Sequence, residues 1–373
     1  MEIAPFQLER YFAKYEFSAR YLLSSSDCES LSLTELLSMA DAEMMGSWEA
    51  LKLGYTESWG HPLLREEIAN IYQGVDQPDV LVVVPEEGIY LLMHALLGAG
   101  DHVVCIFPGY QSLHEIARSI GCEVSTWEPD EERGWHFDNE ELANLIRANT
   151  RLVVINFPHN PTGFVPSRDE FIALVELVSD QGAYLLSDEM YRYLEVEPGT
   201  TLPAACELYE RAFSLFGLSK SFGLPGLRIG WLASKDSEAL RQVSVLKDYT
   251  TICSSAPSEL LAIIALRNKE RIFRQQLERV RKNLTVLDAF FDQYQDHFSW
   301  ERPKGGSICF PRMLLVENTY TFSEQLVAEA GIMLAPSRVF QYGDHHVRIG
   351  FGRDNLPLVV EHFARYLDQH YGQ

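Results

Sequence analysis

Five stretches of this sequence carry residues suited to chemistry, and each lies at the end of an apolar run. They are VVPEE with Glu86 and Glu87, FPGY ending at Tyr110, NFPHNPTG with Asn160, SDEMY with Asp188 and Tyr191, and LSK ending at Ser219 and Lys220. Lys220 stands between the runs AFSLFGL and RIGWLA, where a strand stops and a glycine-rich turn begins. A lysine beside so much apolar sequence can lose its charge and attack a carbonyl, as in a Schiff base with a carbonyl cofactor. The neighbouring residue types suit such a cofactor if it has a pyridine ring. Asp188 could hold the ring nitrogen protonated by ion pairing, which makes the ring an electron sink. Asn160 and Tyr191 could donate to a ring oxygen, and Tyr110 could stack on the ring face. Arg228 could bind a phosphate, and Arg348, in VRIGF, could grip a substrate carboxylate through a two-pronged contact.

Each residue also has a plainer reading. Lys220 could be a solvated loop lysine, and Asp188 a helix N-cap. Asn160 could be a turn residue, because NPTG is good turn chemistry in any loop. Tyr110 could be core packing, and Arg348 could pair with a surface carboxylate. Convergence separates the two sets of readings. A parallel sheet brings the carboxyl ends of its strands to one edge, where ligands bind.

Such a sheet is what the pattern predicts. From residue 80 onward, short apolar runs alternate with helical spacing: VLVVV, HVVCIF, EVSTW, RLVVINF, AYLLSD and the two strands flanking Lys220. Helices are expected over EEGIYLLMHALLG, about 111–119, DNEELANLIRAN and about 168–179. The alternation implies an α/β domain with a mostly parallel sheet and right-handed crossovers. One long helix is expected over about 256–294, followed by RPKGGSICFPRMLL as a strand, QLVAEAGIMLAPS as helix and strand, VRIGFG as a strand and a closing helix. That second pattern implies a smaller α+β domain.

Composition narrows the partners. The chain has 373 residues, a net charge of −22 and a 46% apolar fraction, which fits a globular protein of one or two domains. So acidic a chain disfavours nucleic acid and anionic membranes, which need a basic face. Small anionic ligands need only a locally positive pocket. The six cysteines form no CxxC pair, so reduced thiols in a cytoplasmic protein are expected. The charged N-terminus lacks a signal-peptide pattern, and no apolar run is long enough to span a bilayer. No metal site is expected: His345 and His346 are adjacent, and adjacent strand residues point to opposite faces. GAGDHV precedes a strand, where a dinucleotide fingerprint should follow one.

The NPTG loop, SDEMY and SKSFGLPGLRIGW resemble the class I/II aminotransferases, fold-type I enzymes dependent on pyridoxal 5'-phosphate (PLP). The resemblance runs from LGYTESWGHPLLREEIA to VRIGF with the motifs in family order. It implies a large PLP-binding domain over 46–270 with a mostly parallel seven-stranded sheet between helices, and a small α+β domain from 1–45 and 271–373. It implies that Lys220 carries the internal aldimine and shuttles a proton between Cα and the cofactor. By the same resemblance Asp188 pairs with the pyridine nitrogen, Tyr191 and Asn160 contact the phenolic oxygen, Tyr110 stacks on the ring, and Arg228 contacts the phosphate. Arg348 matches the arginine for the substrate α-carboxylate, with Asn160 beside it. Tyr55 resembles the tyrosine that reaches the phosphate of the neighbouring subunit, implying a homodimer with shared sites. The implied reaction moves an amino group between an α-amino acid and a 2-oxo acid.

The chain departs from the family at three places. Val84-Pro85-Glu86 stands where a Gly-Ala-Gln type of turn is usual, and Pro85 has no N–H to offer a phosphate. The helix N-terminus at Glu86 and Glu87 remains attractive to an anion. Gly217 replaces a phosphate-binding serine three residues before the lysine, leaving more of the phosphate to Ser219 and Arg228. SSSDCES replaces a substrate-facing glycine. These departures keep a second reaction class open: β-elimination, β-replacement or cyclisation, as in aminotransferase-like enzymes of antibiotic-type amino acid pathways. A PLP-fold protein acting only as a sensor or binding partner is a third reading.

Overall fold

A computed structural model describes residues 2–372. Its centre is a sheet of seven strands: β1 (Val80–Val83), β2 (His102–Ile106), β3 (Glu123–Trp127), β4 (Thr150–Asn156), β5 (Tyr184–Asp188), β6 (Ala212–Gly217) and β7 (Gly230–Ala233). Their spatial order is β1-β7-β6-β5-β4-β2-β3. β7 alone runs against the rest, pairing antiparallel with both β1 and β6. All the other pairings are parallel. The mostly parallel α/β sheet expected from the alternation is therefore present.

The short apolar runs become strands because both faces of the sheet are covered. β1, β2, β5, β6 and β7 are buried along their whole length. Alternate residues go to opposite faces. Val103 and Cys105 pack with Leu91, Leu92 and Leu240, while Val104 and Ile106 pack with Phe171, Leu174 and Val175. The helices that cover the sheet include Pro85–Leu96, Ser112–Ile120, Arg168–Asp180 and Ser237–Lys247. The Arg168–Asp180 helix starts at a capping box, with Ser167 receiving the Glu170 N–H and Glu170 receiving that of Ser167.

Two expectations need correction. The helix expected over about 256–294 is two helices, Ala256–Arg267 and Lys269–Gln293. The break falls at Asn268, whose side chain donates to the carbonyls of Ile264 and Met39. An asparagine amide that bonds backbone in this way competes with helix continuation. The strand expected over RPKGGSICFPRMLL is only the two short pieces Ile308–Cys309 and Arg312–Met313, with Pro311 between them.

Beyond the long helix, Val347–Gly350 is the middle strand of a small antiparallel sheet, flanked by Ile308–Cys309 and Ala335–Pro336. Helices Lys269–Gln293 and Leu356–Tyr371 pack over this region through Phe290, Phe291, Phe363 and Leu367. The first 45 residues straddle the molecule. Leu8 and Tyr11 join one large-sheet cluster, Leu36 and Met44 another, and Leu23 and Cys28 the small-sheet cluster. This segment lies between the two regions, over the carboxyl edge of the large sheet.

Candidate active site

A cavity of about 580 Å³ opens at that edge. Its lining includes Glu86, Tyr110, Asn160, Asp188, Tyr191, Ser219, Lys220, Arg228 and Arg348. Tyr55 and Glu87 do not join them. Tyr55 is 92% exposed and lines a separate cleft beside helix Ala256–Arg267. The Glu87 carboxylate turns away to accept from the hydroxyls of Thr250 and Thr251.

Lys220 lies three residues beyond β6, and its Nζ donates to Ser26 Oγ at 2.8 Å. The same nitrogen sits 5.8 Å from the centre of the Tyr191 ring. Asp188 is the last residue of β5 and is buried. Burial pushes its carboxyl up to about 7, against the pull of the Met190 N–H at 3.0 Å and the Lys220 charge. This group holds a proton more readily than an ordinary aspartate and gains most from a cation placed against it.

Asn160 is set by its loop. Its N–H donates to Asn156 Oδ1 at 2.8 Å, and its Oδ1 accepts from Arg348 Nη1 at 3.3 Å. Arg348, on the middle strand of the small sheet, also donates from Nη2 to the Ser24 carbonyl at 2.9 Å. Its guanidinium lies near the rings of Phe12 and Phe340, at 5.7 and 5.2 Å. Arg348 Nε and the Tyr191 hydroxyl are buried and have no partner among the described residues. Buried polar atoms cost free energy when left unpaired, so both point to a ligand.

At the other end of the cavity the family departures form one packed unit. A Cβ on Gly217 would lie 3.1 Å from the Pro85 ring and 3.0 Å from Gly230 Cα. A Cβ on Gly230 would lie 2.6 Å from the same ring. The proline ring thus rests on two glycines, and a serine at 217 would fit only if its neighbours gave way by a few tenths of an ångström. Beside it Ser112 Oγ donates to Glu86 Oε2 at 3.1 Å. Burial pushes the Glu86 carboxyl up to about 7; Ser112 and Arg228 oppose this, while Glu9 and Asp188 add to it. Arg228 occupies a left-handed backbone position at φ 55°, with its side chain exposed.

The fourth wall is the helix Gln7–Tyr15 and the segment that follows it. Tyr110 meets this helix directly. Its ring packs on Phe6, 4.8 Å between centroids, and its hydroxyl donates to Glu9 Oε1 at 2.8 Å.

Three contributors escaped the reading of the sequence. Ser26, the partner of Lys220, stood in the SSSDCES run, noted there only as a replacement for glycine. The Ser24 carbonyl that holds Arg348 belongs to the same run. His159 ties the NPTG loop to the FPGY loop: Nε2 contacts the Pro108 carbonyl at 2.8 Å and Nδ1 contacts Thr162 Oγ1 at 2.7 Å. Burial pushes its pKa down to about 3, so the ring is neutral, donating to the carbonyl and accepting from the hydroxyl. Its position directly before Asn160 was the available signal. His345 and His346 do diverge: His345 is exposed, and His346 is buried with Nε2 3.0 Å from Glu131.

A buried carboxyl, an amine, an orphaned phenol and an arginine on one cavity fit a cofactor with an aldehyde, a ring nitrogen and a ring oxygen. Comparison with known proteins gives the same group. The family model described as aminotransferase class I and II matches residues 22–363. The chain is 30% identical over 347 residues to capreomycidine synthase of Streptomyces vinaceus, covering 92% of this chain and 88% of that protein. A PLP-dependent aminotransferase structure from Streptococcus suis 89-1591 superposes with a TM-score of 0.92 at 32% identity, over 99% of both chains. The PLP-dependent cyclase OrfR superposes with a TM-score of 0.90 at 28% identity, over 99% of this chain and 98% of that one. The residues of this cavity are compatible with that cofactor.

Proposed function

The chain belongs to the class I and II aminotransferase family of PLP-dependent enzymes, and on that premise we propose that it moves an amino group between an α-amino acid and a 2-oxo acid. The observation that carries this reading is the meeting of Lys220, Asp188, Tyr191 and Arg348 on one cavity, with the Tyr191 hydroxyl and Arg348 Nε buried and unpartnered. When bound, PLP supplies an aldehyde that takes up the amino group and a ring that withdraws electrons from the substrate Cα.

The chain's own residues do the rest. Lys220 Nζ would hold the cofactor through its aldehyde and, when freed from it, would be the base that takes the proton from the substrate Cα. Ser26 Oγ, within hydrogen-bond reach of that nitrogen, orients it. The Asp188 carboxylate would hold a proton on the ring nitrogen, Tyr191 OH and the Asn160 side chain would donate to the ring oxygen, and the Tyr110 ring would cover one face. Arg348 takes the substrate α-carboxylate with its two outward N–H groups, oriented by Asn160 and the Ser24 carbonyl. Arg228, Ser219 and the N–H groups of Glu86 and Glu87 would hold the phosphate, and the raised carboxyl of Glu86 would oppose it less than an ordinary carboxylate.

The chain works as a homodimer in this proposal, with Tyr55 reaching the phosphate bound by the neighbouring subunit. Tyr55, Leu53 and Tyr249, at 92%, 85% and 88% exposure, are apolar surface available for such an interface. Among the described residues no helix is long and apolar enough to cross a membrane.

A second reading keeps the cofactor and the loss of the Cα proton but expels a substituent from Cβ, giving elimination, or replacement or ring closure when a nucleophile takes its place. Resemblance to capreomycidine synthase and to a PLP-dependent cyclase favours it. Single turnover separates the two. Transamination should leave one pyridoxamine phosphate per site and a 2-oxo acid. Release of ammonia and pyruvate, or a product that retains its amino group, in either case with the cofactor still in its aldehyde form, would replace the first reading by the second.

A further inference from the structure

Arg348 reaches the cavity from the small sheet and meets Asn160 from the large one, so this contact exists only where the two regions touch. A second contact crosses the same boundary close by. His346 lies opposite Arg312, just ahead of the strand Val347–Gly350, and residues two apart on extended backbone share a face. His346 and Arg348 therefore both point toward the large-sheet region. There His346 Nε2 lies 3.0 Å from Glu131 Oε1, in the turn between β3 and the helix Asn139–Leu145. Arg312 Nη1 stands 3.7 Å from the other oxygen, Glu131 Oε2. The hydrogen bond from His346 holds the Glu131 carboxyl below the usual carboxylate range, against the opposing effect of burial.

Packing alone does not call for a histidine at 346. Its ring is buried, stacked on Phe310 at 5.0 Å and edged by Trp135 and Tyr342 at 5.3 and 5.5 Å. A phenyl ring would fill that cage without burying a polar group. What the imidazole adds is direction, because its nitrogen must meet one carboxylate. The backbone at each end is held in place. The His346 N–H donates to Ser337 Oγ at 3.2 Å, and its carbonyl accepts the Ser337 N–H at 2.8 Å. Asp130 and His136 exchange backbone hydrogen bonds of 2.9 and 3.2 Å across the base of the Glu131 turn. Directly after that turn Phe137 packs on His159, 4.8 Å between centroids, and His159 precedes Asn160. One turn thus braces both partners of the contact: the Arg348 strand through His346, and the Asn160 loop through Phe137.

Resting on the proposed binding of an α-carboxylate by Arg348, we propose that Glu131 and His346 are positioning residues for that carboxylate: the pair sets where the Arg348 strand sits against the Asn160 loop. Neither residue lines the cavity. Both act on the ligand through Arg348 alone, and the groups proposed to hold the cofactor, on the large-sheet edge, do not depend on them.

The test compares two ligands of the PLP-loaded enzyme, 2-methylalanine and tert-butylamine, in which a methyl group replaces the carboxylate. Neither carries a hydrogen on the carbon that bears the amine, so calorimetry reads binding without turnover. The wild type should prefer 2-methylalanine by about tenfold or more, the scale of one charge-assisted contact. Glu131→Gln, which keeps the shape and removes the charge, should cut that preference about threefold to tenfold, with the affinities for tert-butylamine and PLP unchanged. His346→Phe, which fills the same cage without the nitrogen, should do the same, and the double variant should lose no more than either single one. A loss shared equally by both ligands would make the pair a structural element only and overturn the proposal. An unchanged preference in both single variants would overturn it too, while leaving the amino-acid chemistry standing. If the wild type showed no preference for 2-methylalanine, Arg348 would not be the carboxylate site, and the amino-acid reading of the cavity would fall together with this proposal.

Discussion

The two ends of the cavity are built on different principles. At the ring end, Lys220, Asp188, Asn160 and Tyr191 come from the carboxyl ends of adjacent parallel strands and the loops just beyond them. Three of them are held by short contacts to backbone or neighbouring side chains: Met190 N–H on Asp188, Asn156 on the Asn160 N–H, Ser26 on Lys220. At the end proposed for the phosphate, Pro85 has no backbone donor, Gly217 offers no hydroxyl, and the nearby carboxyl of Glu86 is pushed up to about 7. One end is a set of independent polar groups fixed by the sheet. The other is a packing solution, in which a proline ring fills the space that two glycines leave. Substitutions at the ring end should therefore abolish chemistry with little loss of fold, whereas substitutions at the phosphate end should first disturb packing.

Asp188→Asn gives the largest contrast among the changes that leave Lys220 in place. Turnover should fall by roughly a thousandfold, the scale of removing one buried charged partner, while circular dichroism stays native. A fall below tenfold would break the assignment of the ring nitrogen to this carboxyl. The same variant tests the pH dependence. The folded pKa of Asp188, about 7, lies above the ordinary value of 3.8, so the folded state binds the extra proton between those values. The cofactor-free wild type should lose stability relative to Asp188→Asn as pH rises from 4 to 7, and PLP should flatten that difference. Thermal melts of both proteins across this range check the sign.

Gly217→Ser should destabilise the protein by about 1–3 kcal/mol through overpacking against Pro85 and Gly230. Adding Pro85→Gly should recover part of that loss, because the two positions share one volume. Strictly additive effects in denaturant melts would refute the coupled packing. Ser26→Ala has the smallest expected effect, a severalfold loss in kcat with KM and cofactor affinity retained. Ser26→Thr should restore most of it if the hydroxyl orients Lys220.

This contrast also explains what could be read in the sequence. The ring end was legible because strand ends announce themselves: an apolar run stops, and a polar residue of defined chemistry follows at Asp188, Asn160 and Lys220. Hydrogen bonds that cross the chain were not legible. Ser26 lies 194 positions from Lys220 and Ser24 lies 324 from Arg348, and no local pattern links them. Pro85 and Gly217 were visible as departures, but that they touch is a fact of the β1, β6 and β7 neighbourhood. The direction of the Glu87 side chain was illegible for a related reason: the first turn of a helix fixes its N–H groups but lets the side chain turn outward, here to Thr250 and Thr251. The helix break at Asn268 depends on Met39, again a distant contact.

The account depends above all on Lys220 as the residue that bonds the cofactor. Purified protein mixed with PLP should acquire a visible absorbance band distinct from that of free PLP, and borohydride should fix the cofactor irreversibly on the peptide containing Lys220. Lys220→Ala should keep its native circular dichroism and lose both the band and the fixed adduct. An unchanged band in that variant, or an adduct on another lysine, would contradict the account.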